Sequence, residues 1–220
     1  MYKFIQSSEE INSNGGFSFI NKLLNDNKGM DCWDSLLPAA RNSLYSTSNI
    51  IRSLIGIQTA GECGYTDIEK FRGDVLFREL AGGKVPSEES FRQRLDRLAS
   101  SLDEWRTGVD RCVAPQLAVA GLTSLRAGGM KLLPVDIDVS VLEDTASRKE
   151  GVGRSYHNVD GYAPIFCYAG REGFMVANEL RPGSQHSENG AVGFLERYIG
   201  ILKDAGAFAR IPACAHRLGA

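Results

Sequence analysis

No run in this sequence approaches the roughly 20 consecutive apolar residues of a membrane-spanning helix, and no basic start leads into an apolar stretch, so neither membrane insertion nor secretion is expected. Cysteine is sparse and dispersed: Cys32, Cys63, Cys112, Cys167 and Cys214 are five in number and form no close pair. That spacing lacks the paired cysteines of a zinc site, and the odd number argues against a disulfide framework, which leaves a reducing, cytoplasmic setting. An excess of one charge is absent too. With 25 Lys plus Arg against 27 Asp plus Glu, the net charge of −2 gives no global attraction to nucleic acid or to an acidic membrane. A local basic face stays open. What the chain does have is bulk: 220 residues, 43% of them apolar, suffice for one large domain or two modest ones with a packed core.

Residues 1–28 are rich in Ser, Asn and Gly with short apolar patches at Phe17, Phe19, Ile20, Leu23 and Leu24, which predicts a loosely attached arm. Residues 29–129 read as helical. Apolar residues recur at helical spacing through Leu36, Leu37, Ala40, Leu44, Ile50, Ile51, Leu54 and Ile55, predicting a helical pair broken near Ser46 to Asn49. Thr66 and Glu69 stand at capping-box spacing ahead of Ile68, Phe71, Val75, Leu76 and Leu80. Ser87 with Glu88 and Glu89 opens a further helix, running to about Ser100. On that helix Phe91, Leu95 and Leu98 gather on one side while Gln93 and Arg97 point away and Arg94 sits on a flank. Gln93, Arg94 and Arg97 are therefore candidate DNA contacts in a loose helix-turn-helix, and an ordinary solvated face is the alternative. Trp105, Val109, Val113, Leu117 and Leu122 continue a helix with a kink or restart at Pro115, until Gly128 and Gly129 close the region.

Residues 130–220 follow a different grammar. From Lys131 to Leu142, Val135, Ile137, Val139 and Val141 alternate with Asp136, Asp138 and Ser140, the period-2 pattern of a strand with one apolar and one carboxylate face. Two aspartates on one face repel each other, a cost that a bound cation or substrate would offset; a solvated edge strand is the plainer reading. Residues 143–160 form a polar loop in which Arg148, Lys149 and Arg154 are candidate phosphate contacts. Residues 162–169 and 174–180 are apolar and aromatic runs joined by Gly170-Arg171-Glu172-Gly173, a hairpin, so strand, loop and hairpin make an antiparallel meander. Ser187 and Glu188 then open a helix, and residues 208–214 read as the start of another strand. The fold class expected is α+β.

Asp136-Ile137-Asp138-Val139 matches the Asp-x-Asp motif of haloacid-dehalogenase-like phosphatases, which would make Asp136 a nucleophile and Asp138 an acid/base. That fold places its motif in a parallel sheet, whereas this strand leads into an antiparallel hairpin. A second resemblance covers most of residues 50–206. Val135-Asp136-Ile137-Asp138-Val139-Ser140, then Gly161-Tyr162-Ala163-Pro164-Ile165, then Leu180-Arg181-Pro182-Gly183-Ser184-Gln185-His186-Ser187 resemble, in order and spacing, the catalytic domain of bacterial insertion-sequence transposases of the DDE group 1 class. The upstream Tyr65 to Asp74 segment and the Pro86 to Leu98 helix resemble that family's helical region.

The resemblance implies an incomplete ribonuclease-H-like mixed sheet, DNA cleavage and strand transfer, Mg²⁺ as cofactor, DNA as partner and a nucleoid-associated place in the cytoplasm; a homodimer stays open. It makes Asp138 the first carboxylate of the metal site, through the Asp-x-Ser form of Asp138-Val139-Ser140, with Asp136 the close alternative, and places Arg181 near the DNA or against Asp136. The family's second Asp and its Glu fall later than this chain reaches, which implies a truncated, inactive fragment; a one-base slip near Pro212 to Ala215 is one origin. DNA-end binding that inhibits a complete enzyme is the non-catalytic alternative.

Overall fold

A computed structural model describes residues 12–207. Helices and antiparallel strands give the α+β class expected. The chain forms two compact units that divide in sequence between Gly108 and Val109.

The first unit is helical. Its elements are α1 (Gly16–Asp26), a 3-10 turn over Lys28–Cys32, α2 (Trp33–Leu36), α3 (Thr47–Thr59), a 3-10 segment over Tyr65–Phe71, α4 (Val75–Leu80) and α5 (Glu88–Leu98). The arm expected over residues 1–28 is not loose where it is described. Phe17 of α1 is buried against Phe71 and Phe77, with ring centroids 5.5 and 5.2 Å away, and those two rings stack at 4.9 Å. One well-placed aromatic outweighs the polar composition around it, because burying a Phe side chain contributes on the order of 1.5–3 kcal/mol. The helical pair is also shorter than its periodicity suggests. Pro38 disfavours helical geometry at Leu37, whose φ of −131° and ψ of 71° leave the helix, and Leu44 lies 72% exposed.

Local capping sets the remaining starts. Ser46 and Asn49 form a reciprocal capping box at α3, and Ser87 accepts the Ser90 N–H at α5. The expected Thr66–Glu69 box is replaced: Asp67 accepts the Gly64 N–H, and Glu69 accepts the Glu88 N–H at the start of α5. Asp74 caps α4 by accepting the Phe77 N–H at 2.8 Å and also accepts from Asn12 and Asn14. Ile50, Ile57, Ile68, Phe77, Leu80 and Phe91 make the core, and Gly56 gives the Phe77 ring its room, since a Cβ there would meet Phe77 Cε2 at 2.6 Å.

The division between the units falls inside α6 (Leu102–Ala120), which runs through Pro115. Ala114 and Leu117 of its second half belong to the core of the second unit. Gly128 and Gly129 do more than close a helical region. With φ of 57° and 78° they form the two-residue turn of a hairpin between β1 (Leu125–Ala127) and β2 (Met130–Leu132). The predicted strand begins at Val135, as β3 (Val135–Val139). After β4 (Leu142–Glu143), the polar stretch expected as a loop folds partly into β5 (Gly153–Arg154) and β6 (Asp160–Tyr162), in a small antiparallel sheet of order β4-β6-β5. Asn158, at φ 59°, closes the turn between β5 and β6, a left-handed position that Asn tolerates.

The expected meander is present: β7 (Ile165–Ala169) and β8 (Phe174–Glu179) join β3 in a sheet of order β3-β7-β8, all antiparallel. The predicted terminal helix is α7 (Ala191–Asp204), which starts after Gly190, later than Ser187. It packs Phe194, Tyr198, Ile201 and Leu202 onto Ile165, Cys167 and Val176. A bidentate ion pair, Arg197 to Asp110 at 2.6 and 2.8 Å, fastens α7 to α6. Cys167 is a core thiol: burial pushes it up to about 12, so it stays protonated and unreactive at neutral pH. The strand expected over residues 208–214 lies outside the described residues.

Burial pushes the Asp74 carboxyl up, but hydrogen bonds from Asn14, the Phe77 N–H and Asn12 outweigh it and hold the group below its usual range. A depressed folded value adds stability above the unfolded value of about 3.9 and loses it as pH falls through the folded one. Urea midpoints against pH should therefore fall below about pH 4 more steeply in the native chain than in Asp74→Asn, which keeps the cap without the titration. Asp74→Ala should cost about 1–2 kcal/mol near neutral pH.

Candidate functional site

The aspartates sit on an outer strand. β3 pairs only with β7 among the described residues, placing Asp136 opposite Tyr168 and Asp138 opposite Phe166 on one face of the sheet. Both carboxylates are exposed, as the alternation predicts, and Asp138 Oδ2 accepts a hydrogen bond from Ser140 Oγ at 3.2 Å. The apolar face of β3 is covered only in part. Val139 packs on the core, whereas Val135 and Ile137 stay 44% and 38% exposed, because the core beneath the sheet is built on β7 and β8.

Asp138 opens onto a groove of about 540 Å³ lined by Ile137, Val139, Tyr156, Gln185, His186 and Ser187. Tyr156 donates its hydroxyl to the Val139 carbonyl at 2.9 Å, tying the connection after β5 to the end of β3, and the His157 ring lies 4.3 Å from the Tyr156 ring. His186 Nδ1 accepts the Glu188 N–H at 3.4 Å. The Arg181-Pro182-Gly183 exit of β8 brings the groove's far wall into place. Tyr162 bridges Pro182, Ala163 donates to the Arg181 carbonyl, and Gly183 donates to the Gly151 carbonyl. Gly183 is needed here, since a Cβ would be driven into the Gly161 and Gly153 carbonyl oxygens; a Cβ on Gly161 would likewise strike the Leu142 carbonyl.

The Asp138 strand lines this groove together with Gln185, His186 and Ser187, which follow the Arg-Pro-Gly exit, and the family model of the transposase DDE domain, group 1, matches residues 5–211. The chain belongs to that family. No curated protein and no solved structure matches it. Family membership and the antiparallel sheet together replace the phosphatase reading, which needs a parallel one.

In this DDE-domain chain the residues singled out in the sequence are dispersed. Asp136 and Asp138 share one strand face, and Arg148, Lys149 and Arg154 of the same unit do not line the groove at Asp138. Arg94 is a correction: it is 8% exposed and donates to Thr47 Oγ1, which in turn donates to the Leu37 carbonyl. Helical spacing puts Phe91, Arg94 and Leu98 on the inner face of α5, where burial pushes the guanidinium down from its usual value. Arg181 is 2% exposed and bonded to Glu179 and the Ser187 carbonyl, not to Asp136. Gln93 and Arg97 are exposed, although Gln93 donates to Glu89. Arg148 is exposed, Lys149 stands 3.7 Å from Asp144 and Arg154 3.2 Å from Asp160. Such surface pairs are worth about 0–1 kcal/mol and yield readily to a competing phosphate. Tyr156 and Gln185 are groove residues that pattern did not single out individually; their place beside quoted motifs was the only signal.

Carboxylate oxygens suit a hard divalent cation in kind. Their number does not: among the described residues no group of three or more His, Cys, Asp or Glu side chains stands together to hold a metal ion. The described residues do not hold such an ion by themselves.

Gly183→Ala should destabilise the chain by about 1–3 kcal/mol through overpacking, and amide hydrogen exchange should speed up at Gly161 and Gly183 more than across α3.

Proposed function

We propose that this chain is a DNA-binding transposase of an insertion sequence, with Asp138 the first carboxylate of a metal-dependent phosphodiester-transfer site and Asp136 its alternate. The observation that supports this best is the position of Asp138 in a chain of the transposase DDE family: an exposed carboxylate on the open strand of an antiparallel sheet, facing a groove whose other wall is Gln185, His186 and Ser187. Asp138, with Asp136 its alternate, would supply carboxylate oxygens to a divalent cation, which would lend Lewis-acid assistance to phosphodiester transfer. The protein's own share is to hold Asp138 in place, through Ser140, and to leave the groove open. Two carboxylates on one strand do not complete that site among the described residues, and the reading proposed for the chain alone is DNA binding without turnover.

DNA contact is assigned to exposed groups: Arg148, Lys149 and Arg154 of the second unit, and Arg97 with Gln93 of the first. These contacts position the duplex on its phosphates without reading sequence. With a net charge of only −2, binding depends on local cations, and a homodimer would double their number. Binding without turnover would also let the chain compete with a complete enzyme for the same ends.

A gel shift on duplex DNA tests the binding. Affinity should fall steeply with salt, with a slope of about −0.9 per phosphate contacted, and Arg148→Ala should flatten it by about one contact. Failure to retain DNA at low salt sinks the binding reading. In a cleavage assay with Mg²⁺ or Mn²⁺ the chain alone should be silent; robust turnover that disappears in Asp138→Asn would keep Asp138 in its role and overturn the claim of inactivity.

A further inference from the structure

Arg181 is a charged side chain with 2% of its surface exposed, and its guanidinium is only partly satisfied. Nε donates to Glu179 Oε1 and Nη1 to the Ser187 carbonyl, both at 3.2 Å, and the group lies 5.8 Å from the Phe194 ring centroid. Nη2 is enclosed and has no acceptor. A buried donor left without a partner costs about 1–3 kcal/mol, and more when it is charged, so this nitrogen is placed for an acceptor that the protein does not supply.

Its surroundings say where that acceptor would sit. A Cβ on Gly190 would stand 3.8 Å from Arg181 Nη2 and 3.9 Å from Gln185 Nε2, with nothing else within 4 Å. Gly190 is the N-cap of α7, at φ 76°; it provides no side-chain cap, and the first turn of this 14-residue helix has no acidic residue. Uncapped first-turn amides carry the positive end of the helix dipole. A guanidinium nitrogen, a side-chain amide and a helix start therefore converge on one spot without an anion.

We infer that a phosphate-type oxyanion binds at the N-terminus of α7, accepting from Arg181 Nη2 and from the Val192 and Gly193 amides, the Ala191 N–H being taken by the Glu188 carbonyl at 3.1 Å. Gln185 is half-buried and donates to the Asn189 carbonyl at 2.9 Å; swinging that amide aside opens the way to Nη2. Glu179 on Nε offsets part of the arginine charge, so the site suits a singly charged phosphate oxygen and binds it weakly enough to exchange. A DNA backbone phosphate and a free phosphate ion share this chemistry. The inference does not depend on the DNA-binding reading, because the free ion alone tests it.

The test is a titration of the full chain with inorganic phosphate, against chloride at matched ionic strength, followed by amide and arginine Nε chemical shifts. Saturable shifts are expected at Val192 and Gly193 and at Arg181 Nε. A parallel arm with duplex DNA separates the sources: shifts at the same amides assign a backbone phosphate, and shifts with phosphate alone assign the free ion. Gly190→Asp sets a carboxylate at the same spot, and Asp, like Asn, is among the residues that tolerate positive φ. It should abolish the phosphate shifts and raise the thermal midpoint relative to Gly190→Asn, which has the same shape without the charge. Unchanged spectra in phosphate, or shifts that follow ionic strength alone, overturn the site; so do equal midpoints and equal phosphate responses in the two variants.

Discussion

Around the groove, the second unit depends on two stretches of backbone meeting with no side chain between them. Gly183 lies against the carbonyls of Gly161 and Gly153, and Gly161 lies against the Leu142 carbonyl. With the Tyr162–Pro182 bridge and the bond from Gly183 to Gly151, this contact holds the exit of β8 against the small sheet. Much follows from it. The exit carries Gln185, His186 and Ser187 to the groove beside Asp138, buries Arg181 under the start of α7, and sets where α7 begins its packing on the β3-β7-β8 sheet. Gly161 and the glycine of the Arg-Pro-Gly exit are, in physical terms, a requirement for close approach.

Charge in this protein is mostly spent on structure. Arg94 ties α5 to Thr47 and, through it, to the Leu37 carbonyl; Asp74 caps α4 and receives Asn12 and Asn14; Arg197 and Asp110 join α7 to α6. Arg92 of α5 is held between Glu89 and Asp96. The basic helix that resembled a DNA reader is thereby left with Arg97 and Gln93 on its outer side. Cations of the second unit pair with acids on the surface, at little cost to release, which suits contacts made with a partner's phosphates. The buried Arg181, by contrast, keeps one nitrogen unsatisfied at a helix start, an arrangement whose cost a bound oxyanion would remove.

The aspartate strand combines openness with fixed position. β7 holds one side of β3 in register, Ser140 and Tyr156 anchor its end, and the other side meets no strand among the described residues. Exposed Val135 and Ile137 belong to the same openness. A carboxylate there is accessible from the groove, whose lining also includes Tyr156, Gln185 and His186.

Period-2 alternation from Val135 to Val139, the Gly170–Gly173 hairpin and the capping serines at Ser46 and Ser87 were legible because strand faces, turns and helix starts are governed by neighbours in sequence. The sequence by itself determined the α+β class, the antiparallel meander, the joint face of Asp136 and Asp138, and the motifs that place the chain in its family. Only the tertiary structure decided that Phe17 anchors the supposed arm, that Arg94 and Arg181 turn inward, and that Tyr156 and Gln185 reach the groove. Those outcomes depend on contacts between residues far apart in the chain, where burial of an aromatic ring or satisfaction of a distant carbonyl outweighs local polarity and helical spacing.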